Sequence, residues 1–512
     1  MRKTFVLIAA ALMAFGAVSC KKEIENNDLS NRPVRFSATM ENSGDSKTTL
    51  NGYALLWADG DQVKVMCDEF TTAGVYQVVS GGKRHADFVF AGEESSEETL
   101  VAPFKAGYPA DYWNDDVTSI TLPATQNYVA NGMEKFPMYG QVEEGFGVDF
   151  KNVCGVIRLR LTKPNESVSK IVITTNRYMN GEFSVSATDG IPAINHVDGG
   201  EGTNLTTLVC DNPVSISSAV EFYIYLPAGT YNRMRIEVYN ARGLFCEMNS
   251  SQSINIERNK ITTIAPPASS LNFDFVAGLI SVSDDKQVYF AKGNLIYENN
   301  AWRFGNTQYE GYNNGVTENG PRDRFYASGV LSNYGLINGY PSGSMDYSDY
   351  LDWGNVVNDD NTVDPWYTLS DEEWSYALST GSTQPGFAIR GYKNMGGTIN
   401  LGNGTVVYGL ILVPDNWSSS DERFNGHGTM SWNNNVYTVE QWQDMEASGA
   451  VFIPHYNGST TTNSYYWTCS PEPNDWALMR FKSNRRSSSS GQAYDLNAVR
   501  LVRTYHPIEI SE

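Results

Sequence analysis

The chain has 512 residues, which is long enough for three or four domains of ordinary size. It carries 37 Lys and Arg against 58 Asp and Glu, and the formal net charge of −21 argues against nucleic acid as a partner. Hydrophobic residues make up 41 % of the chain and aromatic residues 12 %, so the composition is that of a folded protein and not of a disordered one.

The N-terminus has the pattern of an export signal. Arg2 and Lys3 precede an apolar run from Phe5 to Val18, which is shorter than the roughly 20 residues that a membrane-spanning helix needs. Lys21 and Lys22 follow at once and end the run. The sequence therefore predicts a secretory signal peptide and not a spanning helix.

The end of this signal resembles a bacterial lipobox, Ala17-Val18-Ser19-Cys20. Cleavage between Ser19 and Cys20 would leave a cysteine that carries acyl chains such as palmitate, and these would anchor the protein in the outer membrane. We expect a signal peptide over residues 1–19 and a lipidated tether over residues 20–32. The alternative is an ordinary signal peptide whose cleavage site happens to contain a cysteine.

Five further cysteines are scattered along the chain without a paired spacing: Cys67, Cys154, Cys210, Cys246 and Cys469. An odd, scattered set indicates neither a disulfide framework nor a zinc site. Cys154 and Cys210 lie in apolar alternating runs, and we expect both to be buried.

Residues 33–267 contain short runs of apolar and polar alternation, separated by Gly, Asn and Asp. This period of two is typical of half-buried β-strands. The clearest runs are Gln62–Met66, Gly155–Leu161, Lys170–Thr174, Val220–Tyr225 and Met234–Tyr239. Strands at this density predict two β-sandwiches in series, over residues 33–150 and 151–267.

The composition changes after the linker that we predict over residues 268–275. Nine of the 11 tryptophans lie beyond residue 275, together with only four lysines. Ser370-Asp371-Glu372-Glu373 and Thr438-Val439-Glu440-Gln441 are capping boxes that predict two helices, the second ending at Gly449. Because strands and long Asn/Gly/Tyr/Ser segments surround them, residues 276–512 are predicted to form an α+β domain rich in loops.

The N-terminal half resembles the fimbrillin family, the pilins of type V fimbriae of Gram-negative anaerobes. The matching segments are Val34–Met40, Lys47–Leu50, Leu56–Asp61, Gly107–Ala110, Leu122–Gln126 and Phe150–Leu161. This resemblance implies two transthyretin-like β-sandwiches and export as a lipoprotein. It also implies that a protease specific for basic residues removes the first strand, and that the groove left behind accepts a strand from a neighbouring subunit.

In this sequence the removable strand would be Val34–Met40. The loop that follows it contains a single basic residue, Lys47, which is therefore the expected processing site. Family members usually cut after Arg, and Lys47 departs from that pattern. The alternative is that the strand stays in place and the protein does not polymerise.

The C-terminal part resembles the lectin-like modules found on surface lipoproteins of the same bacteria. These have the C-type lectin or formylglycine-generating-enzyme fold and include the Fibrobacter major paralogous type. The matching segments are Val288–Leu295, Trp302–Phe304, Leu351–Gly354, Leu369–Trp374, Leu412–Asp415, Gly449–Pro454, Tyr466–Thr468 and Val499–Val502. The generating enzyme needs reactive cysteines, and Cys469 alone lies in this domain, which argues against that chemistry.

Glu472-Pro473-Asn474 is the tripeptide with which mannose-type lectins bind Ca²⁺ and sugar hydroxyls. The second acidic segment of those lectins is missing here, so a chance tripeptide in a polar loop is the favoured alternative. Trp476 follows the tripeptide and would stack on a sugar ring, whereas Trp467 falls in a strand-like run and is expected in the core. Calcium also remains open for the acidic segments Asp346–Tyr350 and Asp359–Asp364.

Enzyme motifs are missing from the sequence. The five histidines are scattered singly, and neither a nucleophile elbow, a P-loop nor a dinucleotide fingerprint occurs. We therefore expect a protein that is not an enzyme and has no cofactor apart from the calcium left open above. A glycosidase-like pair of carboxylates is the remaining enzymatic alternative.

Together these expectations describe a fimbrial tip subunit. It would accept a strand from a stalk subunit and present residues 276–512 as a lectin-like adhesive domain to a glycan or protein receptor. One alternative is a monomeric glycan-binding lipoprotein at the cell surface, and another is an anchor at the base of the pilus.

Overall fold

The structure is a computed structural model. It describes residues 35–41, 56–92, 100–250, 252–311, 320–328, 334, 350–358, 364–378, 394–402, 404–417, 435–455, 464–472, 475–482, 485–491 and 495–511. Strands account for 50 % of the structure and helices for 8 %, so the fold is mainly β, as the sequence predicts.

The N-terminal part contains ten strands and one 3₁₀ helix, Ala110–Tyr112. The strands are β1 (Arg35–Met40), β2 (Gln62–Cys67), β3 (Gly74–Val78), β4 (His85–Phe90), β5 (Phe104–Tyr108), β6 (Ser119–Leu122), β7 (Thr125–Val129), β8 (Gly132–Met133), β9 (Met138–Val142) and β10 (Gly147–Asn152). Seven of them hydrogen-bond in a closed ring in the order β1-β10-β9-β5-β2-β3-β4, which we call the first module.

Alternation in the sequence places the core of the first module. In β1 and β2 every second residue is buried, among them Phe36 and Ala38 in the first strand and Val63 and Val65 in the second. Successive side chains of a strand point to opposite faces, so this pattern fills the interior of the ring and leaves polar residues outside.

The second module is built from twelve further strands. They are β11 (Cys154–Leu161), β12 (Ser167–Thr175), β13 (Gly181–Thr188), β14 (Ile191–His196), β15 (Leu205–Ser215), β16 (Val220–Pro227), β17 (Gly229–Tyr231), β18 (Met234–Tyr239), β19 (Leu244–Asn249), β20 (Ile254–Ile256), β21 (Ile261–Ile264) and β22 (Phe275–Val276). A 3₁₀ helix, Ala268–Ser270, precedes β22. The main sheets have the orders β22-β19-β18-β12-β15-β7-β8 and β16-β11-β21.

Three strands from before residue 150 belong to the sheets of the second module. β6 pairs with β13 through Ser119–Leu122, and β7 pairs in parallel with β15. β8 extends the same sheet by pairing with β7. The chain therefore crosses to the second module at residues 119–133 and returns to the first for β9 and β10. A single boundary near residue 150, as predicted from the sequence, does not describe this crossing.

The C-terminal part combines short strands with two α-helices among the described residues. The helices are α1 (Asp371–Leu378) and α2 (Val439–Ala447), and a 3₁₀ helix spans Trp353–Val356. The strands are β23 (Ile280–Ser281), β24 (Gln287–Phe290), β25 (Leu295–Glu298), β26 (Ala301–Phe304), β27 (Tyr367–Thr368), β28 (Asn394–Gly402), β29 (Thr405–Leu412), β30 (Val436–Thr438), β31 (Val451–Pro454), β32 (Ser464–Glu472), β33 (Asp475–Lys482), β34 (Arg485–Gly491) and β35 (Leu501–Thr504). Its sheets have the orders β23-β24-β35-β27, β25-β26, β30-β28-β29-β31 and β32-β33-β34.

Both predicted capping boxes are present at the helix starts. The Glu373 backbone N–H donates to the Ser370 hydroxyl, and the Ser370 N–H donates to the Glu373 carboxylate. Thr438 and Gln441 make the same reciprocal pair at α2. These bonds satisfy N–H groups that a helix start would leave without partners, which is why both helices begin where the sequence indicates.

A fully buried arginine organises the C-terminal part. The Arg500 guanidinium donates to the Asn294 side chain at 3.2 Å, to the Gln308 side chain at 3.1 Å and to the Phe452 carbonyl oxygen at 3.0 Å. Burial lowers the pKa of Arg500 to about 10. Because a buried charge must be hydrogen-bonded, this network fixes the relative positions of three distant chain segments.

The second module and the C-terminal part share one hydrophobic core. Leu271 and Phe273, which fall in the predicted linker, are 0 % and 4 % exposed. β22 pairs with β19, and the Phe245 ring lies 4.9 Å from the rings of both Phe275 and Tyr289. Residues 271–276 are therefore packed between the two parts and are not an exposed spacer.

The cysteines expected in the core are there, since Cys154 is 0 % exposed and Cys210 is 7 % exposed. In the described ranges no helix combines the length and the apolar character needed to cross a membrane.

Candidate functional site

The first strand completes the first module from both sides. β1 pairs antiparallel with β4, where Phe36 lies opposite Phe88, and parallel with β10, where Met40 lies opposite Phe150. The predicted removable strand, Val34–Met40, is thus confirmed as a strand over Arg35–Met40. Taking it away would leave the backbone groups of β4 and β10 without partners along one side each.

The inner face of β1 fills an aromatic groove. Phe36, Ala38 and Met40 are 2 %, 0 % and 4 % exposed. The Phe36 ring stacks on Phe88 at 5.2 Å with an interplanar angle of 7°, and it meets the edge of Tyr76 at 5.2 Å. Burial of a large apolar side chain contributes about 1.5–3 kcal/mol, so the inward residues of β1 help to hold this strand in the ring.

The outer face of β1 is polar, and within the described residues it makes one side-chain hydrogen bond. The Thr39 hydroxyl lies 2.9 Å from His85 Nδ1 on β4. Arg35 is exposed, and Ser37 is partly exposed. Because side chains alternate along the strand, β1 has one face with three buried residues and an opposite face that is accessible to water.

The Arg84 side chain binds the backbone at the end of β1. Its guanidinium donates to the carbonyl oxygens of Met40 at 3.0 Å and of Glu41 at 2.6 Å. The Glu41 N–H also donates to the Phe150 carbonyl oxygen at 2.8 Å. These bonds extend the backbone hydrogen bonding one residue past β1. Because they involve only backbone atoms of the held segment, they do not depend on its side chains.

The Glu41 carboxylate is bound where the first and second modules meet. Arg258, in the turn between β20 and β21, places Nη1 2.6 Å from Oε2 and Nη2 3.1 Å from Oε1. The Asn152 N–H donates to the same Oε2 at 3.0 Å, and Arg258 Nη1 also donates to the Asn152 carbonyl oxygen at 2.9 Å. Two-pronged pairing of a guanidinium with a carboxylate is a strong and directional contact, so the residue after β1 ties the two modules together.

Residue spacing gave no indication of this contact. Glu41 and Arg258 are separated by 217 positions, and each reads in isolation as an ordinary charged residue of a loop. The predicted lipidation and processing residues Ser19, Cys20 and Lys47 lie outside the described residues.

The proposed sugar-binding tripeptide falls at the turn between β32 and β33. Glu472 pairs with Asp475 and Pro471 with Trp476, which places Glu472 and Trp476 at the end of this hairpin. Asn474 lies outside the described residues, as do the side chains of Glu472 and Trp476. Trp467 is in the core as expected, with 1 % exposure and its indole N–H donating to the Phe325 carbonyl oxygen.

The described residues enclose two small cavities and contain no metal-binding cluster. Within the described ranges no group of three His, Cys, Asp or Glu side chains is arranged to hold a metal ion. A cavity of about 180 Å³ lies among Tyr112, Gln126, Tyr223 and Tyr225, and one of about 160 Å³ lies where β18, β19 and β35 meet. Both are smaller than the roughly 300–1,000 Å³ typical of ligand pockets.

Comparison with known proteins gives structural neighbours only. No family model matches the chain, and no curated protein matches it either. Among solved structures, a candidate cell adhesion protein from Bacteroides ovatus is 15 % identical with a TM-score of 0.30, and covers 47 % of this chain and 94 % of its own.

Two fimbrial proteins are similar at the same distant level. A fimbrial protein from Bacteroides ovatus is 9 % identical with a TM-score of 0.24, covering 93 % of this chain and 100 % of its own. The tip fimbrial protein Mfa3 from Porphyromonas gingivalis, with a C-terminal truncation, is 9 % identical with a TM-score of 0.21, covering 46 % and 94 %. These are proteins of the class that the sequence resemblance indicates, but likeness at this level does not assign the chain to a family.

Proposed function

We propose that this chain is a non-enzymatic fimbrial subunit, a lipoprotein of the cell surface that accepts a strand from a stalk subunit and presents residues 276–512 as an adhesive head. The observation that supports it is the position of β1. This strand places three buried residues in the core of the first module and is paired on both sides.

Strand replacement would restore the backbone hydrogen bonds that are broken when β1 leaves. Loss of β1 would expose the apolar groove of Phe88 and Phe150 together with two unpaired strand edges. An extended segment of another chain restores both the ladder and the buried apolar contacts, which is the physical basis of strand addition. Cleavage after Lys47 would release the strand.

A place at the tip is supported by the other end of the described chain. β35 lies between β24 and β27, and its residues Leu501 and Val502 are 0 % exposed. The following residues bind the second module, where Arg235 donates to the His506 carbonyl oxygen at 2.8 Å and the Ser511 N–H donates to the Asn176 carbonyl oxygen at 2.9 Å. β35 and the segment after it are thus held within this chain and are not free for donation, which supports a subunit that accepts a strand.

The alternative, a monomeric glycan-binding lipoprotein, is favoured by one observation. Glu41, directly after β1, is held by Arg258 and Asn152, and this contact opposes release of the strand. In that case β1 stays in place and the two modules serve as a spacer for the C-terminal part.

Removal of the strand separates these possibilities. A chain that begins at Thr48 is mixed with purified stalk subunit, and complexes are detected by gel electrophoresis without heating. We expect an SDS-resistant complex with the shortened chain and none with the chain that retains β1. Failure of the shortened, folded chain to form a complex would rule out the assembly role.

A further inference from the structure

The strand groove ends in a carboxylate-binding site. At the position after Met40, a guanidinium and a backbone N–H converge on one carboxylate, with contacts of 2.6 Å and 3.1 Å from Arg258 and 3.0 Å from Asn152. The Glu41 side chain is 11 % exposed and that of Arg258 21 %, so the pair is largely sheltered from water.

The site is built from the end of β10 and the turn between β20 and β21, and its groups are held in place without β1. Arg258 is oriented by its bond to the Asn152 carbonyl oxygen at 2.9 Å, and the Asn152 side chain donates to Asn259 at 2.6 Å. The Asn259 N–H in turn donates to the Cys154 carbonyl oxygen at 3.0 Å. These groups hold one another independently of Glu41, so removing β1 with Glu41 would leave a positioned cation facing the end of the empty groove.

A buried or half-buried guanidinium without a counter-charge is unfavourable, and an acidic residue at the same place relieves this cost. Arg84 adds a second and different contact, because it binds the carbonyl oxygens of residues 40 and 41 whatever their side chains are. The groove therefore combines apolar pockets, a backbone clamp and one charge-selective position.

We propose that the incoming strand is recognised by an acidic side chain placed one residue after its last buried apolar residue, running in the direction of β1. The partner is thus an extended segment with apolar residues at alternate positions followed directly by Glu or Asp. This inference rests on the proposed function and adds a rule for which strands the groove selects.

The test uses the full chain with a site-specific protease sequence inserted after Ser43. Cleavage leaves the β1 segment bound without a covalent link, and exchange is followed with a fluorescent, amidated peptide of residues 34–43. Amidation ensures that only a side-chain carboxylate can occupy the site. Matched peptides carry Glu41→Gln or Phe36→Asp.

We expect the Glu41→Gln peptide to bind about tenfold more weakly or worse, and the Arg258→Ala protein to bind both peptides at that lower level. Arg258→Glu should prefer a Glu41→Lys peptide over the original. Lys260→Ala, in the same turn but paired with Glu257 at the surface, is the matched control and should change nothing. Arg84→Ala should weaken both peptides by the same factor.

Equal affinity of the original and Glu41→Gln peptides for the parent protein would overturn the inference while leaving strand exchange intact. Absence of exchange with every peptide, or equal binding of the Phe36→Asp peptide, would overturn strand acceptance itself and the inference with it. The two failures are therefore distinguishable.

Discussion

The Arg242 guanidinium forms an ion pair with the Glu446 carboxylate across the junction of the second module and the C-terminal part. Nη2 lies 3.0 Å from Oε2 and Nε lies 3.1 Å from the same oxygen. Arg242 is in the turn between β18 and β19, and Glu446, in α2, has a side chain that is 1 % exposed. The contact orients the C-terminal part on the shared core.

Replacing Arg242 by Ala should destabilise the protein by about 2–4 kcal/mol, because it leaves the buried Glu446 carboxylate without its counter-charge. Urea unfolding monitored by tryptophan fluorescence measures this loss. Arg233→Ala is the matched control, since Arg233 is exposed beside β18 and its removal should cost less than about 0.5 kcal/mol. Equal losses for the two variants would contradict the role of the ion pair.

The same carboxylate should make stability depend on pH. Burial raises the pKa of Glu446 above its ordinary value of 4.5, although Arg242 opposes this. The folded state therefore binds the proton at a higher pH than the unfolded state, and stability should rise as the pH falls from neutral toward 4.5. Relative to Glu446→Gln, the parent protein should gain stability over this range, and Arg242→Ala should gain more steeply. Parallel pH profiles for all three proteins would show that Glu446 does not titrate in this way.

Close backbone contact at the junction predicts that replacing one glycine by Ala destabilises the protein much more than replacing another. Gly243 has φ +76°, and a Cβ there would lie 2.4 Å from Ala447 Cα, whereas Gly404 has the same φ and open space. Both Ala variants bear the left-handed strain of about 1–2 kcal/mol. Gly243→Ala should cost a further ~1–3 kcal/mol, since the junction must open. Matching unfolding midpoints would argue against tight packing at this point.

Local patterns in the sequence predicted the local elements well. The run Met234–Tyr239 became β18 with the same bounds, and the capping box at Thr438 became the start of α2. The half-burial expected of β18 was wrong, because this central strand is covered on both faces and all six of its residues are buried. Periodicity and caps act over a few residues, so a single sequence is enough to read them.

Long-range relationships could not be read in this way. The transfer of β6, β7 and β8 to the second module depends on which edges are free in the folded protein. The burial of Leu271 and Phe273 depends on a surface assembled from distant strands. The pairing of Glu41 with Arg258 joins chain segments that have no local signal in common, which is why the most specific feature of the candidate site was missed.

The proposed lipidation of Cys20 can be tested in cells. Cells that produce the Cys20→Ser variant should lose incorporation of labelled palmitate into the protein and its association with membranes, because the Cys20 thiol is the proposed acceptor of the acyl chains. Cys469→Ser is the control and should be labelled as the parent is. Undiminished labelling of the Cys20→Ser protein would contradict the lipoprotein assignment.

Electron microscopy of the producing cells, with gold-labelled antibodies against residues 276–512, tests the tip proposal most directly. We expect gold at the distal ends of surface fibres and no label along their shafts, because β35 is held within its sheet and is not free to be donated to another subunit. Uniform label over the cell surface in the absence of labelled fibres would contradict it.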